Sequence, residues 1–287
     1  GEIVLGYNSL APYLTDQYYL GATIGRYANR IGGGKFNIDG KTHSLSRNEG
    51  DNHLHGGSGF HHALWDARIE NETLILLHKS PDGEEGYPGN MAVSLRISWV
   101  NGKDLQFEYS AETDAPCPIN LTNHAYFNLG IDIDIREHYA TVKAERYLEC
   151  RFDNIPTGTL KSVEKTALDL RNEVVIGHRF NTCALPQGFD HSYVITEKGL
   201  REAATVSERE SGRYVTLLTT QPGMQLYTGY HLKGAPGRDG AALGHYAGLC
   251  LEGQHHPDSP NQPDFPNTIL RPGETYAQTQ IYRFEAS

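Results

Sequence analysis

Between Met91 and Glu112 apolar and polar positions alternate. Met91, Val93, Leu95, Ile97 and Trp99 are set against Ala92, Ser94, Arg96 and Ser98; Leu105, Phe107, Tyr109 and Ala111 are set against Gln106, Glu108, Ser110 and Glu112. A period of two puts every second side chain on one face, the signature of a half-buried strand. Asn101-Gly102 between the runs is the dipeptide a tight type I′ turn favours, so the segment predicts a β-hairpin. Similar pairs flank Asp39-Gly40 within residues 35–45 and Asn71-Glu72 within residues 66–78. Further short strands are predicted at residues 139–148, 191–195, 214–220, 225–230, 247–252 and 275–284, separated by Gly, Pro and Asp clusters. Helical periodicity is scarce and strands do not alternate with helices. The expected fold is therefore all-β, a large antiparallel β-sandwich with few short helices. Residues 48–62 and 255–272 mix Gly or Pro with polar residues densely enough to predict ordered functional loops rather than linkers.

A length of 287 residues is ample for a substantial core, and the continuous strand signal favours one domain. Lys and Arg total 25 against 35 Asp and Glu, a net charge of -10, with no basic run of five. That balance lacks the footprint a nucleic acid or an anionic membrane would require. No apolar stretch reaches the roughly 18 residues of a membrane span and no charged-then-apolar leader opens the chain, so a soluble, cytoplasmic protein is expected. Cys117, Cys150, Cys183 and Cys250 lie far apart without a C-x-x-C pair, which argues for reduced thiols. The 14 histidines and 17 tyrosines carry polar tips on flat rings, which suits a polar small molecule.

Residues 120–130 read Asn-Leu-Thr-Asn-His-Ala-Tyr-Phe-Asn-Leu-Gly, setting His124 among β-formers and side-chain amides. A histidine titrating near ~6.5 can give or take a proton at neutral pH, and amides can orient a polar ligand without adding charge. Four other segments stand out: Gly25-Arg26-Tyr27-Ala28-Asn29-Arg30-Ile31, Asn52-His53-Leu54-His55-Gly56-Gly57, Gly188-Phe189-Asp190-His191 and Leu251-Glu252-Gly253-Gln254. On local sequence alone, Arg30 reads equally as a salt-bridged strand-end arginine and Asp190 as an Asx-turn residue, while His55 reads more readily as a loop-packing histidine. Glu252, at the end of an apolar run, is costly there unless paired or working.

Together these segments resemble the aldose 1-epimerase (galactose mutarotase) family. The resemblance extends to Pro116-Cys117-Pro118, where the likeness is to bacterial members, to Thr219-Thr220-Gln221-Pro222-Gly223, to Asn261-Gln262-Pro263 and to Leu270-Arg271-Pro272-Gly273-Glu274. It implies a galactose mutarotase-like supersandwich and an enzyme that interconverts the α and β anomers of free aldoses such as galactose and glucose, in hexose metabolism. It further implies His124 as general acid, Glu252 as general base, and Asn29, Arg30, His55, Asp190 and Gln225 as residues that hold the sugar. Other readings are a non-catalytic sugar-binding module of the same fold and a mutarotase-like enzyme for hexose phosphates. The chain opens on Gly1, and residues 2–7 already read as a strand that family members reach later. A single domain at 1–287 lacking some N-terminal residues of the family domain is therefore expected.

The chemistry suits those residue types. Anomer exchange removes the proton of the anomeric hydroxyl and adds one to the ring oxygen, work for one acid and one base on opposite sides of C1, with no cofactor. An ionised Glu252 or Asp190 would favour protonated His124, and Arg30 would favour ionised carboxylates. His53-x-His55, His61-His62 and Glu252-x-x-His255-His256 resemble ligand material, yet no local four-ligand set completes a metal shell, and no metal is expected. Pairing Asp190 with Glu252 as glycosidase carboxylates would leave His124 idle.

Overall fold

The inward-facing residues of the alternating runs meet in a core shared by two sheets in the computed structural model. It describes residues 2–130, 133–182 and 185–287, so Gly1 and Cys183 lie outside the described residues. Nine strands form one sheet in the order Val174–Val175, Tyr139–Val142, Arg201–Glu208, Arg213–Thr219, Tyr276–Ala286, Asp104–Thr113, Met91–Val100, Thr73–Ser80, Asp66–Glu70. A five-stranded sheet runs Pro156–Ser162, Arg146–Cys150, Asp190–Val194, Gly223–Tyr227, Cys250–Gln254. Every neighbouring pair in both is antiparallel. Phe107, Val215, Leu217 and Tyr282 of the larger sheet pack in one cluster with Met224, Leu226 and Leu251 of the smaller. The Tyr282 hydroxyl crosses between them to donate to the Leu251 carbonyl at 2.9 Å. The helices described are short, Leu10–Tyr13 and Ile176–Thr182. The β-sandwich expected from alternation is thus the architecture found.

The hairpins follow their turn chemistry. Met91–Val100 pairs with Asp104–Thr113, and Asn101 and Gly102 take φ of 54° and 70°, with Lys103 as a third connecting residue. Asp39 and Gly40, at φ 52° and 82°, join Lys35–Ile38 to Lys41–Ser44 in the expected two-residue turn. Elsewhere the structure revises the pattern. The run at 139–148 is two strands in different sheets, Tyr139–Val142 and Arg146–Cys150, because a local period cannot report which sheet a strand joins. Arg201–Glu208 and Pro156–Ser162 are strands that alternation did not single out. Residues 2–7 contribute a single bridge, Val4 to Phe127, rather than a strand.

Two short ladders and the middle of the five-stranded sheet bring the polar segments together. Arg30–Ile31 pairs with His53–Leu54, so Asn29, Arg30 and His55 become neighbours. Ala22–Ile24 pairs with Thr122–His124, and Thr122 Oγ1 donates to the Gly253 carbonyl at 3.0 Å, tying this ladder to the Cys250–Gln254 strand. Gly223–Tyr227 lies between Asp190–Val194 and Cys250–Gln254, with Gln225 opposite both Ser192 and Glu252. Gly56, just after His55, sits at φ 78°, where a Cβ would stand 2.0 Å from the Gly25 carbonyl oxygen. Only glycine fits there. Gly56→Ala should therefore destabilise the fold by at least about 1–3 kcal/mol and displace His55, read as a lower thermal midpoint with a raised KM. An unchanged midpoint and KM would contradict this account of the loop.

Candidate active site

The segments converge on a cavity of about 210 Å³ whose lining includes Asn29, Arg30, Glu49, His55, His124, Asp190 and Glu252, with Tyr18, Tyr19, Tyr126 and Tyr227 as aromatic walls. Its size is below the roughly 300–1,000 Å³ of sites for drug-sized ligands and on the scale of one monosaccharide ring. Glu252 is the central residue of Cys250–Gln254, not its end as the apolar run suggested, and is 2 % exposed. His124 ends the Thr122–His124 strand and is 4 % exposed. Glu252 Oε2 and His124 Nε2 stand 4.0 Å apart. Oε2 is buried without a hydrogen-bond partner in the protein, an acceptor aimed at whatever donor enters the cavity.

Burial sets the proton affinities of this pair. It pushes His124 down to about 4, although Asp190 and Asp16 pull the other way. It raises Glu252 well above the ordinary carboxylate range, with Asp190 adding to the rise and Arg30 opposing it. The expectation that neighbouring charges would set protonated His124 against ionised Glu252 is corrected here. Removing both groups from water outweighs the charges around them. The two groups stand side by side in the cavity wall.

Arg30 donates from Nε and from a terminal nitrogen to the two oxygens of Glu49, at 2.6 Å each, and its other terminal nitrogen lies 4.0 Å from Asp190. It is both a salt-bridged arginine and a wall of the cavity. Asp190 opens the Asp190–Val194 strand, and its Oδ1 accepts from Gln225 Nε2 at 2.6 Å. Gln225 is thus committed to Asp190 through its amide, leaving Oε1 buried and unpartnered in the protein. The sequence could not foresee this, since cross-strand registers decide it. His55 Nδ1 accepts the Asn29 backbone N–H at 3.2 Å, so its neutral ring carries the proton on Nε2 as a donor. Burial, with His124 and Arg30 nearby, holds His55 well below its ordinary value and keeps it neutral. Asn29 is held at φ 64°, with Oδ1 accepting from the Arg30 backbone N–H.

Tyr19, Glu49, Tyr126 and Tyr227 were missed by the residue-level reading. Tyr19 packs its ring 4.7 Å from His55 and 5.6 Å from His124, and Tyr126 lies 5.0 Å from His124. The surplus of tyrosines was the available signal, but it carried no positions. The expected loop at 48–62 supplies Glu49, Leu54 and His55, whereas 255–272 does not reach the cavity lining. The histidines weighed as metal ligands disperse. His53 Nδ1 meets the Ser46 carbonyl at 2.7 Å, His61 packs against His62 with the rings tilted, and among the described residues no three His, Cys, Asp or Glu side chains group as a metal site would need.

The chain is similar to known proteins along nearly its whole length. The sequence profile of the aldose 1-epimerase family matches residues 1–283. The chain is 42% identical over 293 residues to galactose mutarotase from Homo sapiens, covering 100% of this chain and 84% of that protein. It is 37% identical over 295 residues to aldose 1-epimerase from Escherichia coli K12, covering 99% of this chain and 85% of that one. Among solved structures, a GalM/aldose epimerase homologue from C. elegans has a TM-score of 0.94 at 29% identity, covering 100% of this chain and 88% of that one. Galactose 1-epimerase from Lactobacillus acidophilus has a TM-score of 0.87 at 29% identity, covering 99% and 85%.

The buried imidazoles carry a consequence for stability. His61, His124, His255 and His256 are each pushed by burial to about 4. Below about pH 6.5 the unfolded chain takes up protons that the folded chain refuses until about pH 4, so their contribution is intact above 6.5 and lost as pH falls. Glu252 and Asp258, raised by burial, act in the opposite sense but are outnumbered. The thermal midpoint should fall steadily between pH 6.5 and pH 4; a flat midpoint across that window would show that these rings are solvated.

Proposed function

The chain belongs to the aldose 1-epimerase family and interconverts the anomers of aldoses, and we propose that Glu252 and His124 move the two protons of that reaction. The observation that carries this reading is their 4.0 Å approach in the wall of a monosaccharide-sized cavity. The oxygens that must lose and gain protons, the anomeric hydroxyl and the ring oxygen, are bonded to the same carbon, so two adjacent groups can serve both. Glu252 takes the hydroxyl proton, the carbonyl forms at C1, the bond from C1 to the ring oxygen breaks, and His124 Nε2 gives that oxygen its proton. After rotation about C1–C2, the freed hydroxyl attacks the other face of the carbonyl, and both protons return.

The pair carries one proton in its working state. Burial favours that proton on Glu252 at rest, and its transfer to His124 gives the carboxylate and imidazolium that the reaction uses, with no change in total charge. The limits of activity therefore belong to the pair. Activity falls at low pH when a second proton arrives, at His124 near 4, and at high pH when the last proton leaves, above the ordinary carboxylate range.

Asn29, the Nε2–H of His55, Arg30 and Asp190 then hold the sugar hydroxyls, with Gln225 orienting Asp190. The cradle carries the carboxyl groups of Glu49, Asp190 and Glu252 around Arg30, whose charge is answered by Glu49. A phosphate bearing about two negative charges would meet repulsion there, which favours neutral hexoses, galactose and glucose among them. We read the chain as a single catalytic domain working in the cytoplasm, a compartment that suits the free thiols of Cys117, Cys150 and Cys250. No described helix is long and apolar enough to cross a membrane.

Glu252→Gln and His124→Asn should each lower kcat by about 10² to 10⁴ with a smaller change in KM, followed by polarimetry of fresh α-D-glucose and α-D-galactose. The wild-type kcat/KM profile should be a bell whose acid limb lies nearer pH 4 than 6.5. Full turnover in either variant, or an acid limb at 6.5, would refute the assignment. Glucose 6-phosphate should have a lower kcat/KM than glucose; the reverse order would point to a cation cluster on residues 48–62 or 231–245.

A further inference from the structure

The proton transfer above uses one nitrogen of His124, and the other nitrogen is engaged too. Nδ1 lies 3.5 Å from Sγ of Cys250, while Nε2 faces Glu252. Cys250 and Glu252 are residues i and i+2 of one strand, so the pleat turns both to the same face. One strand thus meets both nitrogens of one imidazole. Cys250 is fully buried, and burial, with Glu252 and Asp190 adding, lifts its thiol well above the ordinary range and keeps it protonated. The Tyr126 side chain is a second polar neighbour of the thiol.

A protonated thiol is both a weak donor and a weak acceptor. It can point S–H at an Nδ1 lone pair, or turn the hydrogen away and accept from Nδ1–H. A carboxylate in this place would lock the imidazolium, and a methyl group would take the sulfur away from Nδ1. We infer that Cys250 is a positioning residue for His124, its sulfur holding Nδ1 so that Nε2 stays turned toward Glu252 and the sugar. The inference rests on the acid role of His124 proposed above. In the acid step Nε2 releases its proton to the ring oxygen while Nδ1 keeps its own, hydrogen-bonded to Sγ. The proton returns to Nε2 on ring closure, and neither proton nor electron passes to sulfur.

Cys250→Ala should lower kcat about ten- to a hundredfold with KM nearly unchanged, and Cys250→Ser should recover most of the loss. A second measurement leaves Cys250 in place. The infrared S–H stretching band that vanishes in Cys250→Ala should shift in His124→Asn, where the ring nitrogen is gone. If the alanine variant does not fold, the serine variant locates the band as a difference from wild type. Wild-type kcat in a folded Cys250→Ala, or a band unmoved by His124→Asn, overturns the inference. Full kcat in His124→Asn would instead sink the acid role of His124, whatever Cys250 does.

Discussion

A carboxyl group and an imidazole stand 4.0 Å apart, 2 % and 4 % exposed, and the free energy of charging either one there governs the site. In water Glu252 would be ionised and His124 mostly neutral at pH 7. In the cavity wall both are driven toward their neutral forms, and one proton is left to be shared. In the proposed working state, that sharing joins a weak acid and a weak base whose facing atoms stand 4.0 Å apart. Moving the proton between them leaves the net charge of the buried pair unchanged, so the ionic form is reached without bringing a counter-ion into the cavity.

Such a pair works only if the scaffold does not relax around it. The Cys250–Gln254 strand is pinned from three directions: by the Tyr282 hydroxyl on the Leu251 carbonyl, and by Thr122 Oγ1 and Gln278 Nε2 on the Gly253 carbonyl, the last at 3.0 Å. Glu252 is thereby fixed on a strand braced from the larger sheet and from the segment that carries His124. The five-stranded sheet holds Asp190, Gln225 and Glu252, and two short ladders set His124, Asn29, Arg30 and His55 against them.

The groups proposed to bind sugar hydroxyls are held from behind in the same way. Arg30 is set by Glu49, Asp190 by Gln225, His55 by the Asn29 N–H, and Asn29 by the Arg30 N–H. Each hydrogen bond spends a group that could have faced the ligand. In exchange it fixes the direction of another, so less ordering remains to be done when sugar enters. The rings of Tyr19, Tyr126 and Tyr227 wall the same volume, Tyr126 and Tyr19 packing directly on His124.

Alternation along Met91 to Glu112 and the Asp39-Gly40 turn were enough to read hairpins and an all-β fold, because strand period and turn chemistry are properties of neighbours in the chain. Candidate site residues could be named one by one because the segments around His124, Asp190 and Glu252 resemble the aldose 1-epimerase family, whereas local sequence alone left Asp190 open. What the sequence could not carry was the mutual arrangement: Arg30 against Glu49, Gln225 against Asp190, Cys250 and Glu252 on the two nitrogens of His124. Nor could it give the direction of the proton affinities, which local charges had suggested and burial reversed. Residue types, periods and turns are fixed locally. Desolvation and cross-strand register exist only once segments from Asn29 to Glu252 are folded onto one another, and so the tertiary structure alone decided them.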